Sequence, residues 1–269
     1  MSEHSWLMMI YENPGFASWN IGRHIYLWNG DDDMADLTPR ISSPHVDVLG
    51  EDEGNRAYYR LSSMIRLLSA IRVLNGHDKI HSFGDLGLYF YNQNRYKRPS
   101  YYSKDVDIEF EELMNPFDDT IAKQVEEQAV GQPSNRSEDI VRLAVLDPLV
   151  RENLLLLSLG EEQILYLLIN TYKIFENILN ELDLGKSQGK IVKRNGPEIS
   201  EELHSALVSL LKHTGFINTK KGGAGFLSRH GQTKDRAPKE IPTIQDVRHS
   251  LIDVMNNWLD FKRNEYFGK

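Results

Sequence analysis

Apolar residues recur at helical spacing along three long stretches of this chain and alternate along several short ones. Between Arg56 and Leu74, Tyr58, Leu61, Ile65, Leu68 and Ile71 share one helical stripe, and Gly76 stands where a C-cap is wanted. Further on, Ile164, Leu165, Leu168, Tyr172, Phe175, Ile178, Leu179 and Leu182 form a continuous apolar face. Ser158-Leu159-Gly160-Glu161 reads as a capping box ahead of that face and Gly185 as its stop, which predicts a helix over Glu161–Leu184. After Pro242, Thr243-Ile244-Gln245-Asp246 opens a last helix, with Ile244, Val247, Leu251, Val254, Met255, Trp258 and Phe261 as its buried stripe. Ser200–Leu211 reads as a shorter helix, and Ile140–Leu157 as an apolar stretch in which Pro148 marks a break or a helix start.

The short alternating runs lie in the first part of the chain. Ile21–Trp28 is rich in β-branched and aromatic residues and ends in the turn signal Asn29-Gly30. Pro39 and Pro44 bracket an extended piece, and His45–Leu49, Gly87–Tyr91 and Asp105–Phe110 read as further strands. Gly131, Pro133 and Ser134 make Glu126–Glu138 the linker candidate. The expected fold class is α+β: a mixed N-terminal domain over residues 1–130 with a small antiparallel sheet, and a helical domain over 136–269.

Composition narrows the chemistry. The chain of 269 residues has no cysteine, so disulfides, thiolate metal sites and cysteine nucleophiles are excluded. Neither a signal-peptide pattern nor an apolar run of membrane-spanning length is read, and the expected location is cytoplasmic. No nucleotide, flavin or pyridoxal signature stands in the sequence, and no cofactor is expected. The net charge is -8, but it is unevenly spread. Residues 1–185 hold 16 Lys and Arg against 30 Asp and Glu, whereas residues 186–240 hold 11 against 5. An acidic bulk argues against duplex DNA as a partner, because affinity there comes mainly from neutralising phosphates.

The positive charge concentrates in Lys212–Lys239, a glycine-rich connector with seven cations and one acid, Asp235. Glycines at 222, 223 and 225 let backbone amides approach an anion, and Lys212, Lys220, Lys221 and Arg229 supply the charge. The spacing is that of neither a Walker A loop nor a dinucleotide fingerprint. His213 and His230 lie in the same stretch. With Arg229 they form the candidate catalytic group, His moving a proton and Arg stabilising phosphorane charge during RNA cleavage. The plainer reading makes His213 a helix cap and His230 an exposed loop residue.

Three other patterns carry weaker signals. Asp105, Asp107, Glu109 and Glu111 would share one face of a strand, where they could bind a divalent cation or serve as a solvated edge, and no metal site is assigned to them. Tyr89, Tyr91, Arg95, Tyr96, Lys97, Arg98, Tyr101 and Tyr102 interleave rings and cations, as single-stranded bases or an ordinary half-buried strand would want. Arg40…His45 and Arg72…His77 straddle prolines or a glycine and are read as surface residues.

Tyr172-Lys173-Ile174-Phe175-Glu176, then Arg229-His230-Gly231, then Trp258-Leu259 follow in an order that resembles the helical HEPN-type and abortive-infection C-terminal domains of bacteria, over residues 140–265. The resemblance implies a helical unit that pairs with itself or a protein partner in a phage-defence setting. Catalytic members of that class are metal-independent ribonucleases with Arg and His four to six residues apart on one helix, while Arg229 and His230 are adjacent. The expected function is therefore an intracellular interaction or sensor protein that contacts an anionic partner through the basic loop. A HEPN-like ribonuclease, with single-stranded RNA as substrate, is the alternative.

Overall fold

A computed structural model describes residues 5–11, 19–28, 38–92, 95–97, 106–229 and 241–269. The fold is α+β, and the chain divides into two compact units, Met1–Glu152 and Asn153–Lys269. The division falls inside a helix, whereas the pattern of glycine and proline pointed to residues 126–138.

Unit 1 is built on a five-stranded antiparallel sheet in the order β2-β3-β1-β4-β5. Its strands are β1 (Trp6–Met9), β2 (Tyr26–Trp28), β3 (Arg40–Ser42), β4 (Leu88–Asn92) and β5 (Arg95–Lys97). Trp6 is fully buried, donates its indole N–H to the Leu49 carbonyl at 3.1 Å and packs on Phe90 at 4.7 Å. The long helix α2 (Gly54–Leu74) is buried on nearly every side, including Ala57, Leu61, Met64, Leu67, Leu68 and Ile71. The predicted stripe is buried at Leu61, Ile65, Leu68 and Ile71, and the other sides are covered as well, with Arg60 and Arg72 under 10% exposed and held by hydrogen bonds to Glu112 and to the Asp78 carbonyl.

Two strand readings give way to helices. His45–Leu49 holds α1 (Pro44–Asp47), a single turn capped by the Ser43 hydroxyl, and Asp47 in turn accepts the Ser5 and Trp6 amides of the sheet at 2.8 and 3.2 Å. Asp105–Phe110 contributes instead to α3 (Val106–Met114), and Asp105 itself lies outside the described residues. A short alternating run fits a helix as well as a strand, and here Glu112 is drawn in toward α2 by Arg60. The rest of the unit is α4 (Asp119–Ala129), α5 (Arg136–Leu146) and the start of α6 (Pro148–Glu162), with Pro148 at its first position.

Unit 2 packs α7 (Ile164–Glu181), α8 (Glu201–Asn218) and α9 (Ile244–Phe267) around Leu168, Phe175, Ile178, Leu207, Leu210, Val254 and Trp258. Ser200 caps α8, and a Thr243–Asp246 capping box starts α9. Ser158–Glu161 is not the cap of α7: it ends α6, Ser158 is buried, and the Glu161 carboxylate takes a bidentate pair from Arg248 at 2.6 and 3.0 Å. Gly185 does not stop a helix either. It lies in a hairpin, β6 (Leu184–Ser187) with β7 (Lys190–Lys193), whose Gln188 and Gly189 both have positive φ, 49° and 73°. Two such residues make the primed turn that matches strand twist.

Candidate functional site

The basic stretch after α8 is a folded turn as far as Arg229. Past Asn218 the chain forms a π turn over Lys220–Ala224 and a 3-10 turn over Gly225–Leu227. It closes on itself through the Ala224 amide to the Thr219 carbonyl at 3.0 Å, and the Arg229 amide returns to the Ile217 carbonyl at 2.9 Å. Two glycines are needed for this path. A side chain at 223 would sit 2.9 Å from the Phe216 carbonyl oxygen, and Gly225 has φ 63°. Ala224 and Leu227 then seat against Leu168, Tyr172, Phe216, Ile217 and Val247, so the turn is held by apolar contact.

This path delivers Arg229 onto α7. Its guanidinium lies 4.0 Å from the Tyr172 ring centroid and 3.4 Å from the Glu176 carboxylate. The hairpin brings Lys186 to the same place: its ammonium donates to the Tyr172 hydroxyl at 3.0 Å and stands 3.4 Å from the other Glu176 oxygen. Two cations thus share one carboxylate. Arg229, Lys186 and Glu176 are each about a third exposed, at 33%, 34% and 38%. Tyr172 is buried beneath them, and its ring face attracts the Arg229 guanidinium. The hairpin also exposes Lys190, Lys193 and Arg194, and the turn exposes Lys220; among the described residues none of these four has an acidic partner.

Of the candidate catalytic residues, His213 is elsewhere engaged. It sits on α8 with Nε2 3.1 Å from the Ser250 hydroxyl of α9, and burial lowers its pKa, with Lys212 acting the same way and Asp246 opposing. No hydrogen bond joins it to Arg229 among the described residues, and His230 lies outside them. Ser250 is itself buried mid-helix, so the pair acts as an interhelical bond. Lys212 is exposed beside it, and the side chain of Lys221 is not described. Tyr172, Glu176 and Lys186 were the residues that sequence reasoning left without a site role. The Tyr172…Glu176 spacing was visible, but Lys186 joins them only through the hairpin.

Unit 1 holds a second polar constellation that no motif announced. His45, fully buried, accepts the Asp118 amide at Nδ1 (3.0 Å), so its Nε2 carries the hydrogen and donates to His24 Nδ1 at 2.9 Å. His24 Nε2–H then donates to Glu126 at 2.9 Å, and Arg142 grips that carboxylate through Nε and a terminal nitrogen at 3.0 and 2.6 Å. Alongside, Arg60 donates to the buried Glu112 and to the His45 carbonyl. Burial foremost, then the neighbouring His24, lowers His45 to about 3. Burial would raise Glu126, but the hydrogen bonds from His24 and Arg142 outweigh it and lower it to about 2.

Of the Arg40…His45 and Arg72…His77 pairs, expected at the surface, His45 is at 0% exposure and Arg72 at 7%, whereas His77 is exposed. Arg72 spends its Nε on the Asp78 carbonyl, which closes the end of α2. Of the ring-and-cation segment, β4 and β5 form a hairpin, and Arg98, Tyr101 and Tyr102 lie outside the described residues.

Neither a family model, nor a curated protein, nor a solved structure matches the chain. Among the described residues no group of three or more His, Asp or Glu side chains is placed to hold a metal ion, and no helix is long and apolar enough to cross a membrane.

Proposed function

We propose that this is an intracellular interaction protein whose second unit contacts an anionic partner through the folded glycine turn and the adjoining hairpin. The observation that carries this reading is Arg229, held over the Tyr172 ring at 4.0 Å by a turn that needs two glycines and an apolar anchor to place it. Glu176, shared at 3.4 Å with Lys186, supplies an internal carboxylate where an incoming anion would sit. Arginine stacked on an aromatic ring presents its donors in one plane, which suits carboxylate or phosphate. The phage-defence setting rests on the sequence resemblance alone.

The test uses fluorescence anisotropy with a labelled oligoglutamate peptide and a labelled single-stranded RNA at two salt concentrations. Arg229→Ala should weaken binding of the recognised anion at least tenfold, and Glu176→Gln should tighten it several-fold by releasing both cations. His213→Ala should leave it unchanged. Absence of binding to both probes, or equal affinities for wild type, Arg229→Ala and Glu176→Gln, overturns the reading. Shortening of the RNA that is lost in His230→Ala would replace it with the ribonuclease.

A further inference from the structure

The hairpin of unit 2 carries an unpaired edge. About its two-residue turn the pairs Ser187–Lys190 and Gly185–Val192 exchange the ladder hydrogen bonds, and the Arg194 amide continues the pattern to the Asp183 carbonyl at 3.2 Å. The backbone N–H and C=O of Ile191 and Lys193 therefore point away from β6. Among the described residues neither makes a further hydrogen bond, and no third strand joins this sheet. The opposite strand is the sheltered one: Leu184 and Gly185 of β6 are buried, whereas Lys190, Val192 and Lys193 of β7 are exposed.

The side chains along this edge say what pairs with it. Lys190, Val192 and Arg194 alternate onto the outer face, and Ile191 and Lys193 onto the inner one, where Ile191 is buried. Arg194 lies across Gly185, its Nε 2.9 Å from where a Cβ would stand, and Val192 is 38% exposed between the two cations. Lys186 and Arg229 already share Glu176, but Lys190, Lys193 and Arg194 have no acidic partner among the described residues. Residues 184–194 contain no Asp or Glu. A strand laid beside β7 would satisfy its backbone, and the outer row asks it for an acid beside Lys190, an apolar residue beside Val192 and an acid beside Arg194. A second copy of β7 would set lysine against lysine, the means by which exposed edges avoid pairing with themselves. A polynucleotide would meet the cations but supplies no repeating N–H for the Ile191 and Lys193 carbonyls. We infer that β7 takes up an acidic extended segment of a partner protein as a third strand. The inference rests on the anion contact proposed for unit 2 and gives that partner a backbone conformation and an order of side chains.

The probe is a labelled octapeptide with glutamates two positions either side of a valine. It is compared with two copies N-methylated at alternate residues in opposite phase. Only one phase turns its N–H groups toward β7, so anisotropy should show one methylated copy binding like the parent and the other at least tenfold more weakly. Hydrogen exchange should show the Ile191 and Lys193 amides gaining at least tenfold protection in the complex. Lys193→Pro, which removes an outward N–H as well as the charge, should weaken binding several-fold more than Lys193→Ala. Equal binding of the two methylated copies, or unchanged exchange at Ile191 and Lys193, overturns the added strand. If Arg229→Ala still weakens the peptide tenfold in that case, the anion contact of unit 2 stands without it. Phase-dependent binding that Arg229→Ala leaves untouched supports the strand and rejects Arg229 as the contact. Single-stranded RNA bound in preference to the peptide overturns the strand in favour of a nucleic-acid partner.

Discussion

Unit 1 encloses a network of charged side chains, whereas the charges of the candidate site in unit 2 stand at its surface. Unit 2 does bury a cation of its own at Lys262, 4% exposed and 2.7 Å from Glu181. In unit 1, His24, His45, Arg60 and Glu112 are all under 10% exposed and are satisfied by one another or by backbone. In unit 2, Lys186, Arg229 and Glu176 stand about a third exposed at 3.4 Å, over an apolar bundle that does without them. A buried network binds elements into one arrangement and is expensive to break, because each remaining partner is stranded away from water. A half-solvated cluster contributes little to stability and can exchange its partner for another. The first arrangement serves architecture and the second serves contact.

The largest effects should come from attacking each unit's own source of stability. Arg60→Met leaves Glu112 buried with Arg56 alone, at 3.5 Å, and should cost about 3–5 kcal/mol. Adding Glu112→Leu should recover much of that loss. Phe175→Ala in unit 2 removes a ring at 0% exposure and should cost about 3–5 kcal/mol by cavity formation. Urea denaturation separates the two: the Arg60 penalty should be relieved by the second substitution, while the Phe175 penalty has no polar remedy. A change below about 1 kcal/mol for Arg60→Met would dissolve the contrast between the units.

Acid should reach unit 1 first. His45 takes up its proton near pH 6.5 when unfolded but only at about 3 in the fold. Between those values the unfolded chain binds more protons, so stability falls as pH drops, by up to about 1.4 kcal/mol per pH unit. Glu126, lowered from 4.5 to about 2, acts with the same sign in its own lower window: its stabilising share is complete above pH 4.5 and is lost toward 2. The groups facing this network are His24, Arg60, Asp118 and Arg142. A protonated His45 cannot accept the Asp118 amide, so α1 and α4 should separate early. Hydrogen exchange at pH 7, 5.5 and 4.5 should show the amides of residues 118–122 losing protection before those of α9. Uniform loss across both units would refute the order.

What the sequence revealed follows the range of the interactions. The stripes of α2 and α9, that of α7 from Leu168 onward, and the helix starts at Ser200 and Thr243 are set within one or two turns and were legible, whereas Ile164 and Leu165, expected on the α7 face, are 52% and 46% exposed. The His45–Asp118 and His24–Glu126 bonds join residues 73 and 102 positions apart, and nothing local announces them. The Asp105–Phe110 run looked like a strand because its alternation is real; which period wins depends on Arg56 and Arg60 of α2. In the candidate site, Arg229 was visible as charge and Tyr172 as a stripe residue. Their contact depends on Gly223, which lies against the Phe216 carbonyl, and on the positive φ of Gly225, and neither requirement shows in the sequence.

The exposed cluster should be nearly silent in stability. Arg229→Ala removes a half-solvated pair and a ring contact and should shift the unfolding free energy by under about 1 kcal/mol, while the anion contact falls at least tenfold. A loss of several kcal/mol would move Arg229 into the architectural class and weaken the case that it is there to meet a partner.

The smallest expected effect tests how the hairpin holds Lys186 in place. Gln188 is a non-glycine residue at φ 49°, in a two-residue turn whose second member is Gly189. The left-handed region costs an ordinary L-residue about 1–2 kcal/mol, and asparagine tolerates it better than glutamine does. Gln188→Asn should therefore stabilise unit 2 by a few tenths to about 1 kcal/mol, since Asn-Gly suits the primed turn that this geometry requires. The hairpin register, Lys186 opposite Ile191, should be unaltered, so anion affinity should stay within about twofold of wild type. If the thermal midpoint rises and affinity is constant, the turn acts as a passive support for the cations. If affinity changes with no change in midpoint, the turn itself touches the partner, and the contact surface extends beyond Arg229 and Lys186 to the tip of the hairpin.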